Sequence, residues 1–238
     1  MKPTKKVALL HDICAVGKAG AVNMIPILNT MGVEVCLIPT MLLSTHTGGY
    51  GKPAVCPVSP RYLCECAKHY KKEKVMFDFI FVGYLGNCDM VEGVLDFISH
   101  FPEAKVVTDT IMGDNGRFYG NFDTHYLQAV KKLLPVSDLI LPNYTEACFL
   151  AEMAYKENPD LAYRNAIYEK LLQFGVKDMV ITSVTSGEKT EIFYSENGKK
   201  ACLFLECEPN SIHGTGDVFD GVILGNYMKG IPLKENII

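Results

Sequence analysis

The sequence predicts an α/β fold built on a mostly parallel sheet, and three observations predict it. Short apolar runs of strand length alternate with segments whose apolar residues recur at helical spacing, so that strand, crossover helix and strand repeat along the chain. Gly-containing turns follow strand-like runs, at Gly17 and Gly20 and again at Gly83 and Gly86. Polar residues gather where strands end, which is where open α/β sheets bind their ligands.

Val7 to Leu10 reads as the first strand. The turn with Gly17 and Gly20 leads into a helix whose Val22, Ile25 and Leu28 share a face, and Pro26 bends that helix unless it falls in the first turn. Val33 to Ile38 is the next strand, closed by Pro39. Residues 44–51 (STHTGGYG) form a polar, Gly-rich loop, a composition that commonly carries function, and Gly48 to Gly51 could close as a flap. A helix over 60–74 ends in the solvated basic segment Lys68 to Lys74, and Phe77 to Val82 is a strand ending in the turn Gly83-Tyr84-Leu85-Gly86. Met90 to Ser99 is helical, and the strand Lys105 to Thr108 ends at Asp109. Ser137 to Leu141 is a further strand, after which Asn143 is placed to cap a helix containing Glu146 and Phe149. Leu161 to Phe174 is amphipathic, Asp178 to Thr182 is a strand, and residues 201–206 (ACLFLE) read as a buried strand. Val218, Phe219, Val222 and Ile223 then recur at helical spacing. No internal repeat and no Pro/Ser-rich linker divides the 238 residues, so one domain over residues 1–238 is expected.

Composition narrows the function. With 23 basic and 27 acidic residues and no long Lys/Arg block, nucleic acid binding is disfavoured. No apolar run approaches the roughly 20 residues that span a bilayer, and Val7 to Leu10 is too short for a signal-peptide core, so a cytoplasmic protein without a membrane partner is expected. The nine cysteines are scattered, and the one close pair, Cys64-Glu65-Cys66, lacks the second pair of a zinc site. They read as reduced thiols, Cys36 and Cys202 as small core residues in strands.

The densest chemistry lies in His213-Gly214-Thr215-Gly216-Asp217, between the run at 201–206 and the last long helical segment. Such a turn opens a helix, where glycines admit close backbone approach and the first-turn N–H groups form an anion site suited to phosphate. Asp217 adds a carboxylate that could take a proton from a nucleophilic hydroxyl. A Gly-rich turn ending in Asp is also a common helix start with no ligand, so the rest of the chain decides. Asp109 and Asp114 follow one strand, Asn143 and Glu146 the next, Thr182 and Ser183 another. Acidic groups converging near an anion site suit Mg²⁺ and phosphates, although each residue taken alone is equally a cap or turn residue.

The segments Leu42-Leu43-Ser44-Thr45-His46-Thr47-Gly48-Gly49, Gly83-Tyr84-Leu85-Gly86, Asp109-Thr110-Ile111-Met112-Gly113-Asp114, Leu141-Pro142-Asn143-Tyr144-Thr145-Glu146-Ala147 and Gly214-Thr215-Gly216-Asp217 stand in one order across nearly the whole chain. Together they resemble the pyridoxal/pyridoxamine kinase family of the ribokinase-like superfamily, and the Ser-x-His-Thr-Gly loop separates the chain from the sugar kinases. The resemblance implies a three-layer α/β/α sandwich with a mostly parallel central sheet, and transfer of a phosphoryl group from ATP to the 5′-hydroxyl of pyridoxal, pyridoxamine or pyridoxine. It makes Asp217 the general base and the amides of Gly214, Thr215 and Gly216 the anion hole. Asp114 and Glu146 would organise Mg²⁺ and phosphates, directly or through water, with Asp109, Asn143, Thr182 and Ser183 near the nucleotide, and His11, Thr47 and Tyr84 would contact the pyridine ring. Mg²⁺ with ATP is the implied cofactor, a monovalent cation such as K⁺ is a further candidate, and a homodimer is the expected assembly.

The chain departs from the family at Leu141, where Thr is common, at Thr110, where Pro is common, and in the turn Cys14 to Gly20, where Lys18 reads as a solvated loop lysine. The sequence ends within the helix that begins near Leu233, where relatives continue through further helices, and exposed apolar surface is the expected consequence. Two rivals remain: a hydroxymethylpyrimidine kinase of the same fold, which would share Asp217 and the anion hole, and a non-catalytic vitamer- or nucleotide-binding protein, which would have no use for a base at the anion site.

Overall fold

The computed structural model describes residues 4–47, 50–186, 189–206 and 213–237. In chain order the elements are β1 (Lys6–Val16), α1 (Ala21–Thr30), β2 (Glu34–Thr45), β3 (Val55–Pro57), α2 (Pro60–Lys72), β4 (Phe79–Val82), α3 (Cys88–Ser99), β5 (Lys105–Thr108), β6 (Gly113–Asp114), β7 (Arg117–Phe118), α4 (Thr124–Val130), β8 (Leu139–Ile140), α5 (Tyr144–Leu150), α6 (Leu161–Gln173), β9 (Asp178–Ser186), β10 (Lys189–Glu196), β11 (Lys199–Glu206), α7 (Thr215–Met228) and α8 (Leu233–Asn236). They form two compact units, one of Met1–Val107 with Ser211–Ile238 and the other of Thr108–Asn210. Among the described residues no helix is long and apolar enough to cross a membrane.

In the first unit the strands run in the order β5-β4-β1-β2-β3. β1 is parallel to both β2 and β4, while the short β3 adds an antiparallel edge. Val7 to Leu10 and Phe79 to Val82 are buried throughout, and strands covered on both faces read as continuous apolar runs, which is why both were legible. β1 nevertheless continues to Val16, because its pairing with β2 resumes after an irregularity: His11 is opposite Pro39, and Ile13 is opposite Leu42. Pro39 therefore does not close β2; it sits where the register shifts, a position in which a missing N–H is tolerated.

The helix α1 contains Pro26 in its interior and buries Ala21, Met24 and Leu28, so the face expected at Val22 is rotated and Val22 is exposed. α7 packs on α1 through Gly221 and Gly225, one turn apart, which leave room for Ile27 and Met31. This contact directs Ile223, Leu224 and Met228 inward and leaves Val218 and Val222 exposed. α2 starts at the Ser59 cap with Pro60 in its first turn and packs on α3, which Asn87 caps by accepting from the Met90 amide.

In the second unit β8 is parallel to β9, and β9, β10 and β11 form an antiparallel meander. Residues 201–206 lie in β11, an edge strand rather than a buried one, with Phe204 and Leu205 exposed. Cys202 on this edge strand is half-buried, as is Cys36 in β2, and neither is a core residue. A buried pair, Arg164 with Glu191, ties α6 to β10, and Tyr168 adds its hydroxyl to the same carboxylate at 3.3 Å while stacking on Phe193.

Candidate active site

The turn before α7 is held open by conformation. Gly214 is the N-cap at φ 82°, in the left-handed region, and a Cβ there would collide with the carbonyl of Lys18. Asn23 of α1 ties the two loops together, its amide donating to the Lys18 carbonyl at 2.6 Å and the Gly214 carbonyl at 3.2 Å. Lys18 itself is exposed, as expected of a solvated loop lysine. The Val218 amide bonds back to the Gly214 carbonyl and the Asp217 amide to its own carboxylate; the first turn of a helix is where anions are favoured. Thr215 and Gly216 are exposed, and a Cβ on Gly216 would meet no protein atom within 4 Å.

Asp217 occupies the third position of the helix beside the buried His11 of β1. His11 Nε2 stands 3.3 Å from Asp217 Oδ1, without a hydrogen-bonding angle, and His11 Nδ1 stands 2.8 Å from Asp12 Oδ1. The Asp12 amide also lies 2.9 Å from Nδ1, and one nitrogen cannot serve both contacts. A bare lone pair 2.8 Å from a carboxylate is repulsive, so the charge-assisted bond from Nδ1–H to Asp12 prevails. At Nε2, 3.3 Å from a second carboxylate, the same negative charge favours a second proton and hence the imidazolium. Burial opposes that charge, but the two carboxylates outweigh it and raise the His11 pKa to about 10. Burial likewise pushes Asp217 up, yet the His11 charge and the Gly20 amide hold it below the usual carboxylate range. Gly83 and Gly20 make the arrangement possible: a Cβ on Gly83 would strike the His11 ring, and one on Gly20, at φ 65°, would strike the Asp12 carboxylate.

Tyr84 is buried in the turn after β4, where its carbonyl accepts from the Thr40 hydroxyl at 2.6 Å. Thr47 is exposed two residues past the end of β2. Gly48 and Gly49, half of the expected flap, lie outside the described residues. His46 packs edge-on against Tyr50 and at 4.7 Å from His213; burial and the neighbouring imidazole lower its pKa.

The second unit gathers most of the other expected residues around Glu146. Asn143 caps α5 in a reciprocal capping box with Glu146, which is possible only because the two are three residues apart. The buried Glu146 carboxylate accepts from the Met112 amide at 2.9 Å and the Gly113 amide at 3.4 Å on one oxygen, and from the Asn143 amide at 3.0 Å and the Thr110 hydroxyl at 3.4 Å on the other. Burial outweighs these donors and raises its pKa to about 7. Asn143 donates its side-chain amide to the Gly113 carbonyl at 2.9 Å and bridges to Thr182. Asp114 ends β6, exposed, at an Asn115-Gly116 hairpin whose two positive φ angles suit a tight turn. Asp109 is half-buried at the end of β5, and Ser183 is exposed in β9 at φ 61°.

These residues fit Mg²⁺ unequally. Asp114 is an exposed hard-oxygen donor, the kind of single carboxylate that holds this ion together with substrate phosphates. Glu146 has all four lone-pair directions engaged by donors, so it suits the task of shaping the loop that carries Asp114. Among the described residues no group of three or more His, Cys, Asp or Glu is arranged to hold a metal.

Sequence reasoning passed over Asp12, Gly83 as a space-maker, and Thr110 as a partner of Glu146. The HD pair at the end of the first apolar run was the available signal for Asp12.

The family described as phosphomethylpyrimidine kinase matches residues 17–238. A Schizosaccharomyces pombe protein described as a candidate pyridoxal kinase is 27% identical over 217 residues, 85% of this chain; the chain spans 62% of that relative, less than two thirds of its length. A solved candidate phosphomethylpyrimidine kinase from Bacteroides thetaiotaomicron, in a form with pyridoxal, matches at TM-score 0.92 and 32% identity over 99% of this chain and 84% of that one. Pyridoxal kinase from Lactobacillus plantarum matches at TM-score 0.90 and 30% identity, again over 99% and 84%.

Proposed function

The chain belongs to the phosphomethylpyrimidine kinase family, as a pyridoxal-kinase-like member of the ribokinase-like α/β superfamily, and from that premise we propose that it transfers the γ-phosphoryl group of ATP to the 5′-hydroxyl of a B6 vitamer. The observation that carries the reading is Asp217, an ionised carboxylate in the first turn of α7, directly after a left-handed Gly214. The vitamer hydroxyl gives its proton to Asp217 as its oxygen bonds to phosphorus, and the bond to the bridging oxygen breaks with its electron pair leaving on ADP. The amides of Gly214 to Gly216 hold the charge of the transferred group. His11, Thr47 and Tyr84 are assigned to the pyridine pocket, and Asp109, Asn143, Thr182 and Ser183 to the nucleotide. When bound, Mg²⁺ neutralises phosphate charge; Asp114 is the residue assigned to hold it, with Glu146 behind the loop. The reading extends to one kinase domain over residues 1–238, cytoplasmic and homodimeric.

A hydroxymethylpyrimidine substrate is the second reading, favoured by the family description itself. ADP release with Mg·ATP and each of pyridoxal, pyridoxamine, pyridoxine and hydroxymethylpyrimidine decides between them. Turnover on a B6 vitamer supports the first reading, turnover on the pyrimidine alone the second, and binding without turnover on any overturns both.

A further inference from the structure

Asp12 has no part in the chemistry described above, yet the residue is buried at 5% exposure and its carboxylate is aimed at the imidazole that faces the proposed base. We propose that Asp12 is a positioning residue for phosphoryl transfer, holding His11 doubly protonated so that the imidazolium fixes the Asp217 carboxylate, ionised, at the mouth of the anion hole; the inference rests on the kinase reading. Three geometric facts support it. The irregularity in β1 between His11 and Ile13 lets two adjacent residues meet through their side chains, which a regular strand would send to opposite faces. Glycines stand where a Cβ would strike the Asp12 carboxylate and the His11 ring. Among the described residues His11 Nε2 is buried with no hydrogen-bond partner, and it stands 3.3 Å from Asp217 Oδ1.

Among the described residues, few charged or aromatic groups face the imidazole. Asp12 comes from its own strand, Asp217 from α7, and Phe81 from β4, stacked at 6.1 Å. The Cys14 thiol on the same strand is pushed up by burial and then by Asp12, so it stays neutral. Among the described residues no basic side chain offsets the two carboxylates at His11, and the positive charge they share is the imidazolium itself.

NMR titration of the His11 ring nitrogens in the intact chain tests the coupling without any turnover. Both nitrogens are expected to remain protonated at pH 8, and in Asp12→Asn the ring is expected to lose its proton at least tenfold more readily. In the vitamer assay the same variant is expected to lose on the order of 10- to 100-fold in kcat with KM changed less than about threefold, a split that a merely structural defect would not produce. A neutral His11 at pH 7 in the unaltered chain overturns the inference whether or not the variant folds, as does a variant that titrates or turns over like the parent. Absence of vitamer turnover in the unaltered chain, with His11 still charged, counts instead against the kinase reading.

Discussion

His11 Nε2 and Asp217 Oδ1 lie 3.3 Å apart inside a wall of glycine and aromatic carbon, with a second carboxylate on the far side of the ring. Because His11 is raised from 6.5 to about 10 in the folded chain, its stabilising contribution is complete below about pH 6.5 and is lost as the pH rises through about 10. Asp217, whose pKa is depressed, acts in the opposite sense: its contribution is present above the ordinary carboxylate value and is lost as acid protonates it. Melting temperature is therefore expected to fall between pH 7 and pH 10, and His11→Asn is expected to flatten that slope. A parent chain with a level profile across this range would contradict the charged imidazole.

Replacing Asp217 by Asn keeps the shape of the side chain and removes the proton acceptor. Turnover is expected to fall by about 10²- to 10⁴-fold, the usual worth of a positioned general base. ATP affinity, followed by calorimetry, is expected to stay within about threefold. A variant with undiminished turnover would refute the role of Asp217.

Gly83 borders the His11 ring so closely that Ala at this position must displace the imidazole. Overpacking of this kind costs about 1–3 kcal/mol, and turnover is expected to fall with stability. Comparing Gly83→Ala with Gly120→Ala, where a Cβ meets nothing within 4 Å and the backbone is not left-handed, separates crowding from the general cost of removing a glycine. Equal activities in the two variants would dismiss the crowding.

Gly214→Ala adds a Cβ to a left-handed residue and drives it into the Lys18 carbonyl. Backbone strain alone costs about 1–2 kcal/mol. Loss of stability, read by denaturant unfolding, is expected together with loss of phosphate or ATP binding. Gly216→Ala meets no protein atom and is expected to keep stability while losing turnover, because its side chain enters space assigned to the phosphoryl group.

Glu146→Gln places an amide N–H₂ among three backbone N–H groups that seek an acceptor and the Thr110 hydroxyl, which can turn to accept. Leaving a buried donor unpaired costs about 1–3 kcal/mol. The variant is expected to melt earlier and to bind Mg·ATP more weakly, because the loop from Thr110 to Asp114 loses its anchor. Unchanged nucleotide affinity would show that this loop does not serve the nucleotide.

Much of this was legible in the residues, for reasons that differ by element. The strand Lys105–Thr108 stands at the expected bounds because a short, buried run meets a polar residue at its end. Asn143 and Glu146 announce their capping box by spacing alone. β11 misled because ACLFLE has the composition of a core strand, whereas burial is decided by its edge position, a property of topology and not of composition. β10 went unread, its KTEIFYSE mixing buried and charged residues, because Glu191 is buried only by virtue of Arg164. Asp12 was passed over for a related reason: the HD pair was there to be read, but its two residues touch only because of a shift in strand pairing.

The glycines at positions 20, 83 and 214 fill no space themselves, and what they exclude is substitution. Any side chain arriving at one of them competes for volume with Asp12, His11 or the Lys18 backbone, so single-step drift is closed at these sites. Lineages that carry the charged cluster should keep its glycines with it, and lineages that lose one should lose the other. The small residues are thus a hereditary signature of the ionic one, and they can be read in a gene where the acids alone would pass for ordinary strand ends.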